Sequence, residues 1–71
     1  MNCSPELRRA LAVFRLNVDA FPRSWNAYDS LGEAYLQLSD TARAIASYEQ
    51  SLALNPGNAN AAAVLARLRA H

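Results

Sequence analysis

Apolar side chains recur at helical spacing along almost the whole chain. In the first third, Leu7, Leu11, Phe14 and Val18 lie at i, i+4, i+7 and i+11, which places them on one face of a helix. No segment shows the alternation of apolar and polar residues that is typical of a strand. The pattern therefore predicts an all-α protein.

Start and stop signals divide the chain into four helices. The first helix is predicted to begin after the N-cap Ser4 and to run to about Ala20, where a Phe–Pro pair disfavours helix. Ser24, Asp40 and Asn58 are predicted to cap the other three helices, because their side-chain oxygens can accept first-turn N–H groups. These helices are predicted over residues 25–38, 41–54 and 59–70. The short connections favour antiparallel packing of consecutive helices.

The sequence also repeats itself at an offset of 34 residues. Six pairs of similar residues coincide at this offset: Ala10 with Ala44, Leu11 with Ile45, Phe14 with Tyr48, Val18 with Leu52, Pro22 with Pro56, and Leu31 with Leu65. Chance could supply one or two such pairs, but hardly all six. The repeat predicts a periodic array with one complete unit and a partial unit on either side.

The middle of the chain carries the most specific pattern. The motif aromatic-x2-Leu-Gly-x2-Tyr, followed by Ala-x3-aromatic-x7-Pro, is formed by Tyr28, Leu31, Gly32, Tyr35, Ala44, Tyr48 and Pro56. It resembles the tetratricopeptide repeat, a helix–turn–helix unit of about 34 residues. We expect the small residues Gly32 and Ala44 to face each other where the two helices cross, with tyrosines filling the space around them.

The resemblance implies a right-handed solenoid fragment of four helices, forming one domain over residues 1–71. Residues 4–24 correspond to the second helix of a partial preceding repeat, residues 25–58 to a complete repeat, and residues 59–71 to a C-terminal capping helix. Three residues depart from the family pattern. Ser39 stands where glycine is common, Thr41 where tyrosine is common and Ser51 where alanine is usual.

Charge and composition argue against several classes of function. Seven basic side chains, all arginine, face six carboxylates, and they are spread over all four predicted helices, so we expect no nucleic-acid or membrane partner. No apolar run approaches the roughly 20 residues that span a bilayer. We see no signal peptide either, which favours a cytoplasmic protein.

No group of residues in the sequence predicts catalysis. The single cysteine, Cys3, and the single histidine, His71, lie at predicted frayed ends, where no partner can hold them. Asp29 and Glu33 share a helix face, but no histidine or third acid accompanies them. We therefore predict no enzymatic activity, no catalytic residue, no metal and no cofactor.

The resemblance implies a surface for protein partners instead. In that family the first helix of each unit lines a concave groove that binds peptides or protein segments. The matching residues of the second and fourth helices form the predicted groove: Asn26, Asp29, Glu33, Leu36, Gln37, Asn60, Ala63 and Arg67. Asp29 and Glu33 stand where well-known members hold a C-terminal carboxylate with cations or amides, so a basic or neutral segment is expected. A plain solvated surface is the competing interpretation.

The apolar stripe of the first helix (Leu7, Leu11, Phe14 and Val18) predicts a second contact surface. Repeat units bury their apolar faces against neighbours, and the second helix can cover only one flank of this stripe. A two-fold homodimer through the stripe would bury the rest, whereas a parent domain or partner covering it is the alternative. Trp25 either contacts a partner or covers the junction with the first helix.

Two functions follow from these observations. The leading hypothesis is an interaction or scaffold module. The alternative is suggested by residues 14–22 and 26–35, which are similar to short repeats appended to bacterial serine hydrolases of the beta-lactamase and esterase type. In that case the chain would be a C-terminal appendage with a structural or regulatory role.

Overall fold

The computed structural model describes residues 5–70, which form four α-helices joined by short turns. Their bounds are Pro5–Ala20 for α1, Trp25–Gln37 for α2, Thr41–Leu54 for α3 and Ala59–Arg69 for α4. The predicted helices are confirmed to within one residue at each described end, and no strand occurs between residues 5 and 70. The predictions for Cys3, Ser4 and His71 fall outside the described residues. No helix in the described part of the chain is long and apolar enough to cross a membrane.

The three predicted N-caps within the described residues are confirmed. In each cap a side-chain oxygen accepts the backbone N–H three residues on: Ser24 from Ala27 at 3.3 Å, Asp40 from Arg43 at 3.2 Å, and Asn58 from Ala61 at 3.2 Å. The guanidinium of Arg43 also donates to the other Asp40 oxygen at 2.8 Å. This side-chain hydrogen bond lowers the pKa of Asp40 below its usual value.

The helices lie in a single layer with Cα extents of 33 × 32 × 14 Å. The short dimension is close to the diameter of one helix, so each helix packs mainly against its neighbours in sequence. The buried core lies between α3 and α4 and consists of Ala44, Tyr48, Ala61, Val64 and Leu65. Tyr35 and Leu36 of α2 pack against it.

The crossing of α2 and α3 differs from its predicted form. A Cβ atom added to Gly32 would lie 2.7 Å from Cε2 and 2.9 Å from Cδ2 of Tyr48. The nearest neighbour of Gly32 is therefore the Tyr48 ring and not Ala44, although Ala44 is fully buried in the adjacent core. Glycine at this position lets a whole aromatic ring rest on the backbone of α2.

The turn from α2 to α3 explains one departure from the family pattern. Ser39 adopts a φ of 61°, in the left-handed region that glycine enters most easily. The N–H of Asp40 donates to the carbonyl of Tyr35 at 2.9 Å, and the N–H of Ser39 donates to Leu36 at 3.0 Å. These two bonds form a Schellman motif, which ends α2. Glycine is common at such a position because the turn needs this conformation.

Helix α1 is the least buried of the four helices, and none of its residues is fully buried. Its predicted apolar stripe is half-buried, which indicates that α2 covers part of it. The most exposed large apolar side chains of α1 are Val13 and Leu16, at 61% and 68% exposure. Both lie outside the predicted stripe.

Candidate protein-binding groove

The predicted groove residues lie on α2 and at the beginning and middle of α4. Six of the eight are exposed: Asn26, Glu33, Gln37, Asn60, Ala63 and Arg67. The other two, Asp29 and Leu36, are half-buried. Leu36 packs against the core with part of its surface, so the groove offers mostly polar contacts.

Asp29 is engaged in contacts within the chain. Its Oδ2 accepts a hydrogen bond from Nδ2 of Asn58 at 2.9 Å, and Nδ2 of Asn60 lies 3.3–3.4 Å from its two oxygens. The carboxylate thus joins the middle of α2 to the start of α4. Two predicted groove residues, Asp29 and Asn60, are brought together, and they hold the groove in shape as well as lining it.

A buried serine completes this network. Ser51 of α3 is fully buried, and its hydroxyl donates to the carbonyl oxygen of Trp25 at 2.9 Å. The same oxygen accepts a hydrogen bond from Nδ2 of Asn58 at 2.9 Å. Asn58 therefore uses its carbonyl oxygen to cap α4 and its amide group to bind Asp29 and Ser51. The only sequence signal for this node was Ser51 at a position where the family usually has alanine.

The charged groove residues surround the phenol of Tyr48. Burial raises the pKa of Tyr48, the negative charges of Asp29 and Glu33 raise it further, and Arg67 opposes them. No hydrogen bond or ion pair among residues 5–70 occupies the carboxylate of Glu33 or the guanidinium of Arg67. The α2 side of the groove is thus acidic, and the α4 side contributes one positive charge.

An open cleft that the sequence did not predict lies between α1 and the turn after α2. Its volume is about 360 Å³, and its lining residues are Leu11, Arg15, Tyr35, Leu38, Asp40 and Arg43. Because these residues come from three helices, no local spacing indicates the cleft. No group of three histidine, cysteine, aspartate or glutamate side chains in the described residues could hold a metal ion.

Comparison with known proteins agrees with the helical pairing and the 34-residue spacing. A family model described as tetratricopeptide repeat matches residues 25–58, the span of α2, α3 and the turn after α3. Comparison with curated proteins finds no significant match, so the similarity to serine hydrolase tails stays a prediction. Residues 25–58 are thus a complete tetratricopeptide repeat, and through this unit the chain belongs to the tetratricopeptide repeat family.

Proposed function

We propose that this chain is a protein-interaction module that holds a basic or neutral segment of a partner along the α2–α4 groove. Membership of the tetratricopeptide repeat family supports protein binding in general. The observation that carries the finer proposal is the exposed carboxylate of Glu33, which makes no hydrogen bond or ion pair within residues 5–70. An exposed acid on a surface that the family uses for partners favours a cation opposite it.

The network around Asp29 supports the same proposal. Asn58 and Asn60 hold this carboxylate in place, so its negative charge has a fixed position beside Glu33 on α2. The amides of Asn26 and Gln37 are exposed and can bind the backbone of an extended segment. Arg67 of α4 adds a positive charge, which disfavours a uniformly basic segment. We therefore expect a segment with one or two cations, placed to meet α2.

Calorimetric titration at two salt concentrations tests the electrostatic part of the proposal. A lysine-containing peptide is expected to bind more tightly than its glutamate counterpart, and added salt should weaken it because exposed charges are screened. Glu33→Gln should weaken the lysine peptide roughly two- to fivefold, the range of an exposed ion pair. Asp19→Asn is the matched control, since it removes an exposed carboxylate of α1 outside the groove.

The choice of variant follows from the structure. Replacing Asp29 as well would break its bonds to Asn58 and Asn60, so a loss of binding could come from a distorted groove. Equal and salt-insensitive binding of both peptides, or equal effects of Glu33→Gln and Asp19→Asn, would contradict the proposal. No observation in the structure favours the alternative role as an appendage of a serine hydrolase.

A further inference from the structure

Helices α1 and α3 carry the same face in the same register. The four buried residues of α3 are Ala44, Ser47, Tyr48 and Ser51. At the offset of 34 residues they align with Ala10, Val13, Phe14 and Asn17 of α1. In α3 this face packs on α2, since Tyr48 covers Gly32 and Ser51 binds the carbonyl of Trp25. In α1 none of the four is buried, and Val13 is 61% exposed.

Helix α4 presents the complementary surface. At the same offset, Gly32 of α2 aligns with Ala66 of α4, and Tyr28 aligns with Ala62. Both alanines are exposed, because α4 turns the opposite side, with Ala61, Val64 and Leu65, towards the core. Within residues 5–70, α4 thus has the position of a first helix and α1 that of a second helix, each without its partner.

We propose that a second copy of this chain supplies the missing partner, with α1 of one copy packing on α4 of the next in the way α3 packs on α2. Phe14 would then cover Ala66 as Tyr48 covers Gly32, and Val13 would be buried beside it. The methyl group of Ala66 holds the two helices slightly further apart than at Gly32. This contact goes beyond the peptide groove and does not depend on it.

Charges at the edge of this contact are complementary. Glu6 aligns with Asp40, and Arg69 aligns with Tyr35. Within one chain the N–H of Asp40 donates to the carbonyl of Tyr35, so these two positions are neighbours. Between two copies, Glu6 therefore comes close to Arg69. Arg9 aligns with Arg43, which is exposed, so Arg9 keeps its contact with water.

The geometry distinguishes this contact from the two-fold dimer predicted from the sequence. That dimer used the stripe of Leu7, Leu11, Phe14 and Val18, which α2 already covers in part. A contact between two different surfaces does not close after one pairing, so it produces a concentration-dependent series of open oligomers. A two-fold contact stops at the dimer.

Two exposed positions allow each surface to be blocked separately in the 71-residue chain. Val13→Glu blocks the α1 face and Ala66→Glu blocks the α4 face, and both positions are exposed, so folding should persist. Each change should weaken self-association at least about tenfold, because a charge would be buried against apolar atoms. The matched controls are Leu16→Glu, which is 68% exposed on another side of α1, and Ala46→Glu on the exposed side of α3.

Size-exclusion chromatography with light scattering measures the outcome, and circular dichroism verifies that each variant is helical. The unmodified chain should grow in mass with concentration, each blocked variant should stay monomeric, and the controls should behave as the unmodified chain. An equimolar mixture of the two blocked variants retains one intact α1 face and one intact α4 face, so it should form a 1:1 dimer and nothing larger. If Ala66→Glu unfolds, Ala62→Glu blocks the same face.

Three outcomes would overturn the proposal. The first is an unmodified chain that stays monomeric at high micromolar concentration. The second is a dimer that Ala66→Glu and Ala62→Glu leave intact, because this outcome would assign association to α1 alone. The third is a mixture of blocked variants that remains monomeric. Each of these results is independent of whether the groove binds a peptide.

Discussion

Helices α3 and α1 show how differently two similar helices are buried in one layer. They share a face at an offset of 34 residues, yet α3 buries four residues and α1 buries none. The difference is in their neighbours, because α3 lies between α2 and α4, whereas α1 contacts mainly α2. In a single layer, a helix must be covered on two sides before its apolar residues stabilise the fold fully.

The largest expected effect is a test of this difference with two truncations. Tyr48→Ala should lower the free energy of unfolding by about 3–5 kcal/mol, as is typical of a buried aromatic residue. Phe14→Ala removes the aligned ring of α1, which is only half-buried, and should cost about 1–2 kcal/mol. Urea denaturation at low protein concentration measures both values. Equal losses would show that α1 and α3 are buried to the same extent in solution.

A second prediction concerns the crossing that only α3 makes. Gly32→Leu should destabilise the protein by about 1–3 kcal/mol, because even a Cβ atom would lie 2.7 Å from the Tyr48 ring. This loss is expected although leucine is favoured over glycine in a helix by nearly 1 kcal/mol. Ala66→Leu at the aligned position of α4 should be tolerated, since that side is exposed. An increase in the melting temperature of Gly32→Leu would contradict the close contact.

The smallest expected effect is a comparison of Ser51 with its counterpart Asn17. Ser51→Ala should cost about 1 kcal/mol, because the carbonyl of Trp25 and one N–H of Asn58 lose a buried partner. Asn17→Ala should change stability very little, since Asn17 is exposed. Thermal denaturation of both variants measures the difference. A neutral Ser51→Ala would mean that the network between α2, α3 and α4 contributes nothing to stability.

The features that were predicted correctly from the sequence depend on local interactions. The N-caps Ser24, Asp40 and Asn58 bond to residues three positions away, so local patterns suffice to place them. The repeat over residues 25–58 follows from spacings within two helices and is matched by the family model. Helix ends differ by one residue at Gln37 and Arg69, where the last turn can be assigned either way.

The features that were missed depend on contacts between distant residues. Whether Ala44 or Tyr48 lies nearest Gly32 is decided by the rotation of α3 against α2, and helical spacing does not determine this rotation. The bond between Asp29 and Asn58 joins residues 29 positions apart, so Asp29 was predicted to be a free groove acid. Val13 was overlooked because it lies outside the apolar stripe, although its alignment with the buried Ser47 was already a signal.

The pairing of consecutive helices also has a consequence for folding kinetics. Most contacts join α1 to α2, α2 to α3 and α3 to α4, so the chain closes only short loops while it folds. Helical proteins with such low contact order fold in microseconds to milliseconds. Opening of the native state should begin at α1, which has no buried residue, and hydrogen exchange should be fastest there. The amides of α3 should exchange last, when the whole domain unfolds.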